Sequence, residues 1–152
     1  MIQDEDLARS IIQCGIPAAV EAIGERWSFL ILRAAFNGMR HFEQFQSALG
    51  IARNILSDRL TRLTGHGILE RVPSADDRRR VEYRLTAKGE ALLPTLIALR
   101  QWGERWARGG VDNPVLVDAE HRRPVRPVTV QADDGRVLAL SDLRWVDRAT
   151  LE

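Results

Sequence analysis

The stretch Ile51-Ala-Arg-Asn-Ile-Leu-Ser-Asp-Arg-Leu-Thr-Arg-Leu63 decides the fold of this chain. Leu56, Leu60 and Leu63 recur at helical spacing, which predicts a helix with one apolar face in a core. The other face carries arginines, an asparagine and small hydroxyls, which can contact phosphates and base edges when a helix lies in the major groove. An ordinary amphipathic helix with a basic solvent face is the alternative. We interpret the segment as a recognition helix starting near Ala52, with candidate DNA contacts at Arg53, Asn54, Ser57, Asp58, Thr61 and Arg62.

The segments before this helix also carry helical apolar spacing. Residues 41–49 predict a short helix that buries its two phenylalanines and a leucine and ends at Gly50. Two short helices joined by a tight turn that contains glycine are typical of a helix-turn-helix. Further upstream, residues 18–36 predict a single long core helix that ends at Asn37-Gly38.

After the recognition helix the apolar period changes from helical to alternating. Residues 68–72 and 81–85 predict two strands of a hairpin whose loop, residues 73–80, is basic. A hairpin in this position makes a winged helix, and the loop can then contact the DNA backbone or minor groove. The alternative is a solvated loop that its two aspartates partly neutralise. The candidate contacts in the loop are Arg78, Arg79 and Arg80.

The segment after the hairpin predicts a long helix capped by Thr86, which Pro94 bends in its early turns. Its apolar positions follow steps of four and three residues, close to a heptad seam. Such a stripe needs a cover, either the core of this chain or a second subunit, and we favour the second subunit. The predicted dimer contacts are Leu92, Leu96, Leu99, Trp102, Gly103 and Trp106.

The last forty or so residues differ in character. Residues 115–117, 125–130 and 136–140 predict short strands, Asp134-Gly135 offers a tight turn, and Ser141-Asp142 could cap a last helical turn. We expect a small β appendage. Effector binding, support of a dimer and simple coverage of apolar surface are all open, and a structural role is favoured.

Composition limits the classes of protein that this sequence can encode. The chain has 152 residues, enough for one domain with an appendage, and a net charge of only +1. Residues 40–84 hold nine Lys and Arg against six Asp and Glu, so positive charge collects around the predicted recognition helix. The sequence lacks a cationic leader and an apolar run long enough for a bilayer, and its single cysteine excludes an intramolecular disulfide. We expect a cytoplasmic protein without membrane contact.

Catalysis finds little support in the sequence. His41, His66 and His121 lack metal-ligand spacing, and neither a Gly-rich phosphate loop nor a nucleophile with its base stands out. We therefore expect no enzyme, no metal and no cofactor.

Taken together, these marks resemble the HxlR family of bacterial winged-helix transcription regulators. The likeness covers roughly residues 14–107. It rests on Cys14, Gly24-Glu-Arg-Trp27, Ile31-Leu-Arg33, His41-Phe42 through Phe45, Ile51 through Leu63, Gly67-Ile-Leu-Glu-Arg71, Val81-Glu-Tyr-Arg-Leu-Thr-Ala-Lys-Gly89 and Trp102-Gly103.

The resemblance implies a mainly α-helical fold with a small β component, an α+β winged helix-turn-helix. It also implies a homodimer, held by terminal helices, that binds a pseudo-palindromic operator in double-stranded DNA, and we expect a repressor. Family members usually have Cys-Pro where this chain has Cys14-Gly15. They usually have arginine where it has His41, and Arg40 could replace that arginine as a phosphate contact, so Arg40 and His41 are both candidate DNA contacts. The expected parts are a dimerisation segment 1–17, a DNA-binding core 18–85, a dimerisation helix 86–108 and a β-rich extension 111–152.

Two further hypotheses follow from the same residues. Some members of the family sense oxidants through the cysteine that Cys14 matches, so this thiol is a candidate redox sensor and an oxidant or small molecule a candidate effector. Acidic neighbours argue against an activated thiolate, and a small buried hydrophobe is the simpler interpretation. The second hypothesis is a winged helix that binds a protein instead of specific DNA.

Overall fold

A computed structural model describes residues 4–107, 109 and 114–146 of the chain. Within this part, the chain forms seven α-helices and one antiparallel hairpin. The helices are α1 Asp4–Gln13, α2 Gly15–Ile23, α3 Arg26–Phe36, α4 Phe42–Leu49, α5 Arg53–Gly65, α6 Ala87–Glu90 and α7 Leu93–Trp102, and the strands are β1 Leu69–Pro73 and β2 Val81–Leu85. Helix α7 continues into a π-helical turn, Gly103–Ala107, and a 3-10 turn covers Leu140–Asp142.

The single long helix predicted over residues 18–36 is wrong, because the chain breaks at Gly24-Glu25 into α2 and α3. Glu25 adopts an extended conformation (φ −142°, ψ 157°), and its carboxylate accepts hydrogen bonds from the backbone N–H groups of Trp27 and Ser28. A carboxylate that satisfies these free donors starts a new helix. Pro17 lies in the first turn of α2, where its missing N–H costs nothing.

The helix-turn-helix is confirmed. Helix α4 begins after His41, whose backbone N–H donates to the Gln44 side chain, and it ends at Gly50 with a left-handed φ of 60°. Helix α5 begins after Ala52, which offers no capping side chain. All three leucines of the predicted apolar stripe are fully buried. With them, the core contains Ile23, Ile31, Leu32, Ala34, Ala35, Phe45, Ile51, Ile68 and Leu69.

The hairpin is also confirmed, with Leu69 opposite Leu85 and Pro73 opposite Val81. Val81 and Leu85 share one face of β2 and Glu82 lies on the other, as the alternation predicts. The polar face nevertheless holds the most buried residue of the strand, because Glu82 is only 6% exposed.

The long helix predicted after Thr86 is divided into α6 and α7. Thr86 does cap α6 by accepting a hydrogen bond from the Gly89 N–H. Pro94 does not bend a helix interior, since it is the second residue of α7. Leu92 and Leu96 pack against the core instead of lying on a free seam.

The chain divides into two compact units, Met1–Leu96 and Ile97–Glu152. In the described part of the second unit, the three predicted strands are reduced to isolated bridges, Val117 with Pro124 and Gln131 with Val137. The predicted tight turn is present at Gly135, with a φ of 84°. The last helical turn predicted after Ser141-Asp142 is wrong, because the 3-10 turn is Leu140–Asp142 and Leu143 after it is extended. No helix in the described chain is long and apolar enough to cross a membrane.

Candidate nucleic-acid interface

The solvent face of α5 carries the predicted base contacts. All six candidate side chains on this helix are exposed, while the leucines behind them hold the helix in the core. Among the described residues, the side chains of Asn54, Ser57 and Thr61 have no hydrogen-bond partner within the protein, so their polar groups are available. The Arg53 guanidinium lies 4.9 Å from the centroid of the Phe42 ring, which orients it at the amino-terminal end of the helix.

Two of the predicted contacts on α5 are already engaged by protein groups. The Arg62 guanidinium donates to the Glu21 carbonyl at the end of α2, at 2.5 Å. The Asp58 carboxylate pairs with Arg59, with 2.6 Å between the oxygen and the nitrogen. Both side chains are therefore held by other groups of this protein. The hydrogen-bonding groups on α5 that remain available are those of Asn54, Ser57 and Thr61.

The loop between the strands presents its arginines to solvent. Arg78, Arg79 and Arg80 are exposed. The Asp77 carboxylate accepts the backbone N–H of Arg79 at 2.9 Å, so it shapes the loop and does not pair with an arginine side chain. Only Arg80 has an ionic partner among the described residues, Glu43 at 3.9 Å. The other two guanidinium groups can bind phosphate. The hairpin with this loop, residues 69–85, is called the wing below.

Backbone contacts join the wing to the start of α4. The Tyr83 N–H donates to the Arg40 carbonyl at 2.7 Å, and His41 Nδ1 lies 3.3 Å from the Val81 carbonyl. The His41 ring therefore contacts β2, whereas the side chain of Arg40 is 56% exposed and reaches solvent. Of the two candidate phosphate contacts in this segment, Arg40 is the accessible one.

A buried carboxylate lies at the base of the wing. Glu82 Oε1 accepts the Ser74 hydroxyl at 2.8 Å, and Oε2 accepts Arg84 Nε at 2.8 Å and lies 3.9 Å from Arg40. The hydrogen bond from Ser74, followed by that from Arg84, holds the pKa of Glu82 below its ordinary value. This carboxylate is therefore ionised at neutral pH and ties the two ends of the loop together.

Cys14 stands between α1 and α2. Its side chain is partly exposed, and its thiol donates to the Ile11 carbonyl at 3.0 Å. Within the described residues, no cluster of His, Cys, Asp and Glu could hold a metal ion.

The profile of the HxlR-like helix-turn-helix family matches residues 22–110, which include α3, α4, α5 and the wing. The chain belongs to the HxlR-like helix-turn-helix family. This membership confirms the resemblance inferred from the sequence, and with it the class of transcriptional regulators as opposed to enzymes.

Proteins similar to this chain are designated transcriptional regulators. An HTH-type transcriptional regulator of Mycobacterium bovis is 44% identical over 101 residues, which are 66% of this chain and 64% of the relative. The aligned part thus spans less than two thirds of that relative. The structure of PA1607, described as a transcription factor, superposes with a TM-score of 0.83 at 41% identity over 93% of this chain and 99% of PA1607. The reduced form of the redox regulator HypR matches 60% of this chain and 92% of its own length, with 25% identity and a TM-score of 0.53.

Four residues support the candidate interface in roles that the sequence did not predict. Glu25 caps α3, and Ser28, which is fully buried, donates its hydroxyl to the same carboxylate. A glycine followed by Glu, with Ser three residues later, is the signal that could have located this helix start. Ser74 and Glu82 gave no such signal, because a Glu on the polar face of an alternating strand is normally solvated.

Proposed function

We propose that this HxlR-like protein binds a pseudo-palindromic operator in double-stranded DNA as a homodimer and represses transcription there. The observation that carries the proposal is the face of α5, where Asn54, Ser57 and Thr61 have no partner among the residues that the structure describes and three fully buried leucines hold the helix. A rigid helix with free donors and acceptors suits base recognition in the major groove. Repression follows because a dimer on promoter DNA blocks access to it. This role places the protein in the cytoplasm.

The proposed contacts divide into two groups. Asn54, with Arg53 beside it, contacts base edges because both lie at the amino-terminal end of the recognition helix. The exposed wing arginines and Arg40 contact phosphates, which fixes the register of the protein on DNA without selecting a sequence. His41, Asp58 and Arg62 are engaged with protein groups, and we assign them to orienting the neighbouring contacts.

The proposed dimer rests on apolar surface that the monomer leaves uncovered. Trp102, Trp106 and Trp145 in the second unit are 60%, 66% and 77% exposed, and no residue in the described part of that unit is buried. A tryptophan side chain can bury about 150–250 Å² of surface, so at these exposures the three tryptophans leave about 300–500 Å² of it uncovered. A standard interface covers about 800 Å² on each partner, so the tryptophans account for a large share of one.

Further aliphatic surface extends the proposed dimer contacts. Leu99 is 48% exposed on α7, and in the other unit Ile12 on α1 and Ile16 and Val20 on α2 are exposed. Leu92 and Leu96 cover the core of the first unit, so the part of the predicted seam left for a partner is Leu99, Trp102 and Trp106. We assign the extension after residue 114 to this dimer, because its valines remain 38–63% exposed. Symmetric pairing places the two recognition helices on two half-sites.

Fluorescence anisotropy tests operator binding. The purified protein is titrated onto the DNA upstream of its own gene and onto a scrambled duplex, each across a salt series. We expect tight binding to the first duplex and weaker, more salt-sensitive binding to the second. Equally weak binding to both, and to promoter fragments across the genome, would favour a winged helix that binds a protein partner.

A redox response is a second candidate, favoured by the likeness to HypR and by the partly exposed thiol of Cys14. With one cysteine in each chain, a disulfide would have to join two subunits or recruit a small thiol. Diamide should then change DNA affinity in the native protein and leave Cys14→Ser unaffected. If the two proteins respond alike, Cys14 is not a sensor.

A further inference from the structure

The Glu82 carboxylate occupies an unusual position for a DNA-binding surface. It is 6% exposed, yet both arginines beside it reach solvent, since the side chains of Arg40 and Arg84 are 56% and 39% exposed. One buried negative charge thus faces two cations at the junction of the wing and α4. The Ser74 hydroxyl donates a hydrogen bond to the opposite oxygen of this carboxylate.

We propose that Glu82 is a specificity-determining positioning residue: its buried carboxylate holds the Arg40 and Arg84 side chains and weakens their attraction for DNA phosphate. The inference rests on the proposed operator binding. Non-specific affinity grows with the number of phosphates that a protein neutralises, because each one releases counterions. A carboxylate that already neutralises part of this charge lowers affinity for every sequence while the base contacts of α5 are kept. The ratio of specific to non-specific binding therefore rises.

The geometry separates this electrostatic role from a merely structural one. A glutamine at position 82 can accept from Arg84 through its amide oxygen and donate to the Ser74 hydroxyl through its NH₂ group. Glu82→Gln therefore removes the charge and can keep both hydrogen bonds. Ser74→Ala does the reverse, because it removes one hydrogen bond and keeps the charge.

The experiment compares these variants by anisotropy on the upstream and scrambled duplexes across salt. We expect Glu82→Gln to bind the scrambled duplex more tightly, by up to about tenfold at about 0.1 M salt. The slope of the logarithm of its binding constant against the logarithm of the salt concentration should be steeper by up to about one for each protomer. Its specificity ratio should fall. Ser74→Ala should keep the native slope. Glu120→Gln, which removes a carboxylate that is 86% exposed in the second unit, controls for net charge and should change the scrambled-duplex affinity much less.

A second comparison uses the native Glu82 and does not depend on that variant folding. Because Glu82 already neutralises part of the charge on Arg40, Arg40→Gln should flatten the salt slope clearly less than Arg79→Gln, whose side chain has no ionic partner among the described residues. Equal flattening by both would overturn the inference, as would weaker or unchanged scrambled-duplex binding by folded Glu82→Gln. If the native protein binds neither duplex nor any promoter fragment, operator binding itself is wrong, which is a different result.

Discussion

Arg59 Nε on α5 lies 3.2 Å from Glu25 Oε1, the carboxylate that begins α3. The side chains of both residues are mostly shielded from solvent, at 26% and 29% exposed. Burial acts to raise the pKa of Glu25, but hydrogen bonds from Ser28 and Trp27 together with the Arg59 charge outweigh it, so the pKa lies below its ordinary value of 4.5. One side chain thus starts a core helix and fixes the orientation of the helix proposed to contact bases.

Replacing Glu25 should destabilise the fold. Glu25→Ala removes the acceptor for the first N–H groups of α3 and one of the two carboxylates that pair with Arg59, the other being Asp58. We therefore expect the free energy of unfolding to fall by about 1–2 kcal/mol. Urea denaturation followed by circular dichroism measures it. Glu120→Ala, at a side chain that is 86% exposed, is the control and should stay within about 0.5 kcal/mol of the native protein. Equal effects would refute the capping role.

The lowered pKa of Glu25 also predicts the pH at which this stabilisation disappears. A carboxyl group whose pKa is lower in the folded state stabilises fully above its unfolded value of 4.5, and the stabilisation is lost as pH falls through the folded pKa. The difference in unfolding free energy between the native protein and Glu25→Gln should be constant well above pH 4.5 and shrink below it. A difference that persists unchanged into strong acid would show that the ionised form is not responsible.

Two glycines should respond to alanine with opposite signs. A Cβ at Gly89 would clash with the Ile68 carbonyl and touch Leu85, so Gly89→Ala should lower the free energy of unfolding by about 1–3 kcal/mol. A Cβ at Gly65 would meet nothing within 4 Å at the end of α5, so Gly65→Ala should raise the free energy of unfolding by about 0.4–1 kcal/mol. Urea midpoints decide the signs, and a loss at both positions would contradict the assigned packing.

Base and phosphate contacts should be separable by substitution. Asn54→Ala should weaken binding to the specific duplex by about 1–3 kcal/mol and leave the scrambled duplex unaffected, because a base contact is lost. Arg79→Gln should weaken both duplexes alike and flatten the salt slope by about 0.9 for each lost phosphate contact. Equal losses of specificity from the two changes would contradict this division.

The apolar surface of the second unit can be tested through its own tryptophans. Three of the four, Trp102, Trp106 and Trp145, lie in this unit and are exposed in the monomer, so dilution of a dimer should shift their emission to longer wavelength. Trp106→Ser should shift sedimentation toward the monomer at micromolar concentration, since it removes a large apolar contact. Leu93→Ser, on the same helix but in the other unit, is the matched control. A native protein that sediments as a monomer would overturn the dimer.

Local sequence pattern predicted the helix-turn-helix and the wing of this fold well. The leucine spacing in α5, the glycine at the end of α4 and the alternation in β2 each act within a few residues, so their outcome follows from short-range geometry. The prediction was wrong where a polar side chain started a new helix although the helical spacing of apolar residues continued. Residues 18–36 kept helical spacing throughout, but Glu25 could satisfy the free N–H groups of a second helix, and the chain broke there.

The sequence by itself determined the helix-turn-helix, the wing, the exposed face of α5 and membership in the HxlR-like family. Only the tertiary structure decided which charged groups face the proposed DNA surface. Arg62 reaches α2, His41 contacts β2, and Glu82 is buried between Ser74 and two arginines. These partners are up to 41 residues apart in the chain. Apolar periodicity fixes which side of a helix or strand is buried, but a long polar side chain finds its partner only after distant segments have packed together.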